Sequence, residues 1–73
     1  MLCVNVVYPE PLNIGNQQTV SDWEEAYQTA LYWIGDEGVS ITKEIEEEIR
    51  EHNEYFHDWN NGKGFLVQIT EID

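Results

Sequence analysis

Apolar and polar positions divide this chain into short blocks with two different periods. From Leu2 to Tyr8 the residues alternate. Leu2, Val4, Val6 and Tyr8 share one side, and Cys3, Asn5 and Val7 share the other, which predicts a strand. Pro9 and Pro11 end it, because neither can donate to a ladder. Leu12 to Gln18 reads as a polar loop with Gly15-Asn16 as its turn. In an alternative reading, Leu12 and Ile14 form a short second strand hairpinned onto the first. Helix one is predicted to begin at Ser21, where Ser21-Asp22-Trp23-Glu24 has the form of a capping box. Asp22, Glu24 and Glu25 suit the positive end of its dipole. Trp23, Ala26, Tyr27, Ala30, Leu31 and Ile34 fall on one helical face, with Trp33 at its edge and Tyr32 on the opposite side. Gly35 is a plausible stop, and Asp36-Glu37-Gly38 turns the chain. Val39 either pairs briefly with a strand or packs beneath that turn.

Helix two is predicted from about Thr42 to Trp59, capped by Ser40 or Thr42. Ile41, Ile45, Ile49, His52, Phe56 and Trp59 recur every three or four residues and form its apolar stripe, with Tyr55 on the flank. Asn60-Asn61-Gly62-Lys63-Gly64 is a strong breaker. A last strand follows from Phe65 to about Ile72, where Phe65, Val67 and Ile69 alternate with Leu66, Gln68 and Thr70. The blocks predict one α+β domain over residues 1–73. Its sheet is antiparallel with two or three strands in the order β-(β)-α-α-β, and an antiparallel helix pair covers one face. Two strands alone are marginal, which favours a third short one from residues 12–20 or from Val39.

Composition narrows what such a domain can do. Fifteen acids against three bases give a net charge of −12, and that self-repulsion opposes a compact state. Yet three Trp, four Tyr and two Phe argue against disorder. So acidic a chain does not bind nucleic acid or an anionic membrane through its bulk field; it attracts basic surfaces. No apolar run approaches the ~18 residues of a membrane span, and no basic segment opens the chain, so a soluble, non-secreted protein is expected. The lone Cys3 excludes an internal disulfide and fits a reducing cytoplasm; in a strand it reads as a small buried hydrophobe.

Catalytic and metal chemistry find little support. Glu54-His57 has half the spacing of a di-iron carboxylate site, but the second copy is missing. His52 reads as a core-edge histidine and His57 as a solvated one. Ser21 and Ser40 look like caps, and no pair of carboxylates stands out as an acid and base. Neither an enzyme activity, nor a cofactor, nor a metal is expected.

One acidic pattern remains. Glu44, Glu47, Glu51, Glu54 and Asp58 fall on one face of the predicted helix two. There they would run along about 21 Å at a spacing of about 5 Å. A DNA strand presents a phosphate every ~3.4 Å, so the spacings are of the same order without matching. Glu46 and Glu48 thicken the field; only Lys43 and Arg50 oppose it. Asp22, Glu24, Glu25, Asp36 and Glu37 can extend the surface, and exposed aromatics such as Tyr32 suit an interface anchor.

Small size, acidity, a lone cysteine and the βααβ outline resemble the phage-encoded inhibitors of bacterial defence, the anti-CRISPR and anti-restriction proteins. Within them the chain is similar to a small type I-F anti-CRISPR protein. That likeness rests on Glu24-Glu25-Ala26-Tyr27, on Gly38-Val39-Ser40 leading into an acidic helix, and on a last strand opening with Gly64. It implies a DNA mimic that sits on the basic groove of a nuclease or CRISPR effector in the cytoplasm of an infected bacterium. Two other readings compete with it. One is an adaptor that binds through its aromatic edge, with charge serving only solubility. The other is an acidic surface of halophilic origin.

Overall fold

A computed structural model describes residues 1–9, 12–59 and 63–72. Six elements follow one another: β1 (Leu2–Pro9), β2 (Leu12–Val20), α1 (Trp23–Asp36), α2 (Lys43–His52), β3 (Glu54–Asp58) and β4 (Gly64–Glu71). The strands form one antiparallel sheet in the order β2-β1-β4-β3. The expected two- or three-stranded sheet is therefore corrected to four strands, in the chain order β-β-α-α-β-β.

The two central strands lie where their alternation puts them. Val4 pairs with Ile69 and Val6 with Val67, so the apolar sets of β1 and β4 share a face. Both helices pack on that face. Val4, Val6, Phe65 and Val67 are fully buried there with Ala26, Ala30, Ile34 and Ile49. Trp23, Tyr27 and Trp33 pack against the same cluster as half-buried flanks. Glu24, at the start of α1, meets Arg50, near the end of α2, so the helices are antiparallel.

Two stretches differ from expectation, each for a tertiary reason. The stretch read as a loop is the nine-residue edge strand β2. Its positions on the helix side include Asn16 and Gln18, so it carries little apolar alternation, but it supplies the ladder that β1 would otherwise leave open. A bulge at Gly15 sets Ile14 opposite Val7, and the Tyr8 ring fills the space where a Gly15 side chain would stand. The second half of the expected helix two is the strand β3. The helix stops at Asn53, which adopts the left-handed conformation with φ 59°. Asn53 N–H closes the helix on the Ile49 carbonyl at 2.9 Å, and its own carbonyl accepts from Ile69 N–H at 2.8 Å. One residue thus ends the helix and begins the β3–β4 ladder. Beyond it, Tyr55 and His57 face the core side and Glu54, Phe56 and Asp58 face away. The aromatic content of Glu54–Asp58 suits a strand.

Smaller corrections follow at the ends. Asp22, not Ser21, caps α1, accepting from Glu25 N–H at 2.8 Å. Gly35 lies inside α1, and the turn comes at Gly38, whose φ is 96°. Thr42 caps α2, accepting from Ile45 N–H at 3.2 Å. Pro9 is the last residue of β1, whereas Pro11 and the breaker residues Asn60, Asn61 and Gly62 lie outside the described residues. Trp59 N–H donates to the Lys63 carbonyl at 2.8 Å.

Candidate functional site: the acidic helix layer

α2 carries its apolar residues on one side and its acids on the rest. Ile49 is fully buried and Ile45 half-buried against the core, while Glu44, Glu46, Glu47, Glu48 and Glu51 are exposed. Arg50 is the one cation on the helix besides Lys43, and it reaches past Glu46 toward α1, away from Glu44, Glu47, Glu48 and Glu51. Its guanidinium grips the Glu24 carboxylate with two bonds of 3.0 Å, one to each oxygen. It also stands 5.0 Å over the Tyr27 ring and lies 3.6 Å from Glu46. Bonds from Arg50, then from Gln28, hold the Glu24 carboxyl down at about 2. The same bond to Glu24 raises Arg50. Among the described residues, Glu44, Glu47, Glu48 and Glu51 have no such partner.

The expected row of five acids is broken. Glu44, Glu47 and Glu51 remain on α2, but Glu54 and Asp58 lie on β3 and point from the opposite face of the sheet. Glu44 to Glu51 spans only about 10 Å, half the expected length. Other acids assigned to the surface have structural duties. Asp22 is a cap, Glu24 holds Arg50, and Glu25 accepts from the Ser21 backbone and hydroxyl at 3.2 and 3.3 Å. Glu37 is half-buried and accepts from the Tyr8 hydroxyl at 2.6 Å. Asp36 is exposed at the end of α1, and Tyr32 is 71% exposed.

The expected apolar stripe of helix two also divides. Ile41, His52, Phe56 and Trp59 are all exposed, and Phe56 lies on the sheet face away from the helices. His57 is half-buried rather than solvated. Its Nδ1 lies 2.8 Å from the Tyr55 hydroxyl, and its ring stacks on Phe65 and meets Trp59 edge-on. Burial, then the charge of Glu48, raises the Tyr55 hydroxyl. Cys3 is buried, as its place in the strand implies, with its thiol 3.6 Å from Asn5 Oδ1. Among the described residues, no three His, Cys, Asp or Glu side chains gather as metal ligands do, and no helix is long and apolar enough to cross a membrane.

The Tyr8–Glu37 bond gives a measurable signature. Chiefly through that bond, and then through burial and the charges of Glu37 and Asp36, Tyr8 is pushed up from 10.0 to about 12. The proton stays on Tyr8 longer in the folded chain, so this stabilisation is complete below pH 10.0 and lost as pH rises through about 12. In an ultraviolet absorbance titration the Tyr8 step should fall well above pH 10.0. Glu37→Gln should move that step back down; an unmoved step would contradict the assignment.

Neither a protein-family model, nor a curated protein, nor a solved structure matches this chain significantly.

Proposed function

We propose that this chain is an acidic inhibitor that occupies the basic nucleic-acid-binding surface of a bacterial defence nuclease or CRISPR surveillance complex, in the manner of the anti-CRISPR proteins it resembles. The observation that carries the proposal is the asymmetry of α2. Among the described residues, four carboxylates stand exposed with no paired cation, while Arg50 is drawn off to Glu24. Like charges three and four apart cost a helix a few tenths of a kcal/mol each, so the row opposes folding and favours an external positive partner. The contact surface is the α2 row Glu44, Glu47, Glu48 and Glu51, with Asp36 at the end of α1. Inhibition is steric and electrostatic, with no chemistry on the target.

The test is competition against duplex target DNA for a purified type I-F surveillance complex or a restriction nuclease. The chain's own affinity for that target, measured directly without DNA, should weaken steeply between about 50 mM and about 500 mM salt, as the Debye length shrinks. A flat salt response contradicts the proposal. An adaptor role is the second reading, favoured by the exposure of Tyr32 and by Trp59 at 44%. It predicts binding through those rings and little dependence on salt.

A further inference from the structure

The face of the sheet that no helix covers has an order of its own. Pairing across the strands sets Ile14, Val7, Leu66 and Phe56 in one row, from β2 through β1 and β4 to β3. Beside it runs an amide row, Gln17, Asn5 and Gln68, ending in Glu54. Ile14 is 57% exposed and Phe56 49%. On β1, β2 and β4 every described strand position on this face is uncharged, in a chain of net charge −12. The acids of α2 lie on the other side of the sheet.

We propose that this face binds a second copy of the chain, forming a two-fold dimer with the sheets packed face to face. Three observations select that occupant. The first is self-complementarity. A two-fold axis parallel to the strands reverses the order β2-β1-β4-β3, so β2 of one copy lies over β3 of the other and β1 over β4. The apolar row then meets itself: Ile14 meets Phe56, and Val7 meets Leu66. The amide row does the same, which brings the Gln17 amide to the Glu54 carboxylate. The second is charge. Sheets pack ~10 Å apart and each helix layer is ~10 Å thick, which leaves the two acidic rows about 30 Å apart. The Debye length is ~8 Å at physiological salt, so their repulsion is screened. Contact through the α2 face would instead press the two rows together. The third is area. Strands β1, β2 and β4 are ~25 Å long and the five-residue β3 ~17 Å, and at ~4.8 Å spacing they give a footprint of about 450 Å² per copy. The two copies together approach the ~1,000 Å² that a specific interface needs.

Sedimentation analysis of the intact chain from about 1 μM to about 1 mM tests the proposal. The expected species has twice the 8.6 kDa mass of one chain. Ile14→Glu should weaken dimerisation at least ~10-fold, because it sets a carboxylate against the apolar row. Ser40→Glu adds the same charge on the exposed connection between the helices and should leave dimerisation unchanged. Circular dichroism of both variants confirms that they fold. In a Cys3→Ser background, a bis-maleimide reagent with a reach of about 8 Å should join Gln17→Cys chains mixed with Glu54→Cys chains, because opposed positions on sheets ~10 Å apart lie beyond direct disulfide reach, and it should join neither alone. A monomer throughout the range, equal weakening by Ile14→Glu and Ser40→Glu, or failure of the mixed cross-link overturns the proposed dimer. None of these outcomes bears on the α2 surface, so the inhibitor reading and the dimer stand or fall separately.

Discussion

Replacing Gly64 by alanine is expected to destabilise the fold by about 2–4 kcal/mol, a large share of what so small a domain has to lose. Gly64 pairs with Asp58 at the turn end of the β3–β4 ladder. A Cβ there would overlap the His57 carbonyl and stand 3.1 Å from the Phe56 ring. A flexible side chain could swing aside, but the carbonyl is backbone, so the strands themselves must part. Parting them loosens the Trp59–Lys63 bond and uncovers the flank of Phe65 and Val67. Thermal unfolding should show a midpoint lower by roughly 10–25 °C. Gly35→Ala is the matched contrast. It lies within α1, and a Cβ there meets only Ile41 Cγ1 at 3.9 Å, so alanine should stabilise by about 0.5–1 kcal/mol. Equal stability of the Gly64→Ala variant and the parent chain would show that the hairpin is not packed as described.

Triple reversal of Glu47, Glu48 and Glu51 to Lys is expected to abolish binding to a basic target while the fold survives. Each reversal turns an attraction into a repulsion, at about 1–2 kcal/mol per contact. Three together should cost roughly 10²–10⁴-fold in affinity. All three side chains are exposed, and their like-charge neighbours already repel one another, so helix stability should hold or rise. Net charge alone must be separated from position. Glu51→Lys and Glu71→Lys change the charge equally, but Glu71 closes β4 and lies outside α2. Only Glu51→Lys should weaken binding about tenfold or more. Equal losses would mean that the bulk field, and not the α2 row, attracts the partner. No loss from the triple variant would favour the adaptor reading instead.

Much of the fold was legible in the chain, and the failures are instructive. β1, β4 and the core stripe of α1 follow directly from their periods, because each buries one face against the same core. β2 was half-hidden. A strand at a sheet edge with Asn16 and Gln18 on its inner side leaves no apolar alternation to read. β3 is hidden in the sequence because His52, Phe56 and Trp59 continue a helical spacing by coincidence. The usable signals were Asn53, which tolerates a left-handed backbone, and the aromatic run that follows it. The acidic row inherited that error. Three of its five members rest on α2, and the other two moved with β3 to the far face.

By itself the sequence determined the charge excess, the core stripe of α1, the start of α2 and the two central strands, all of which depend on local spacing and composition. The tertiary structure decided where α2 ends and how far the sheet extends. Those depend on distant backbone: the Ile69 N–H needs an acceptor, and the Asn53 carbonyl provides it. It also decided which acids remain available to a partner. Whether Glu24 faces solvent or Arg50 depends on how the helices cross, and no local pattern contains that information.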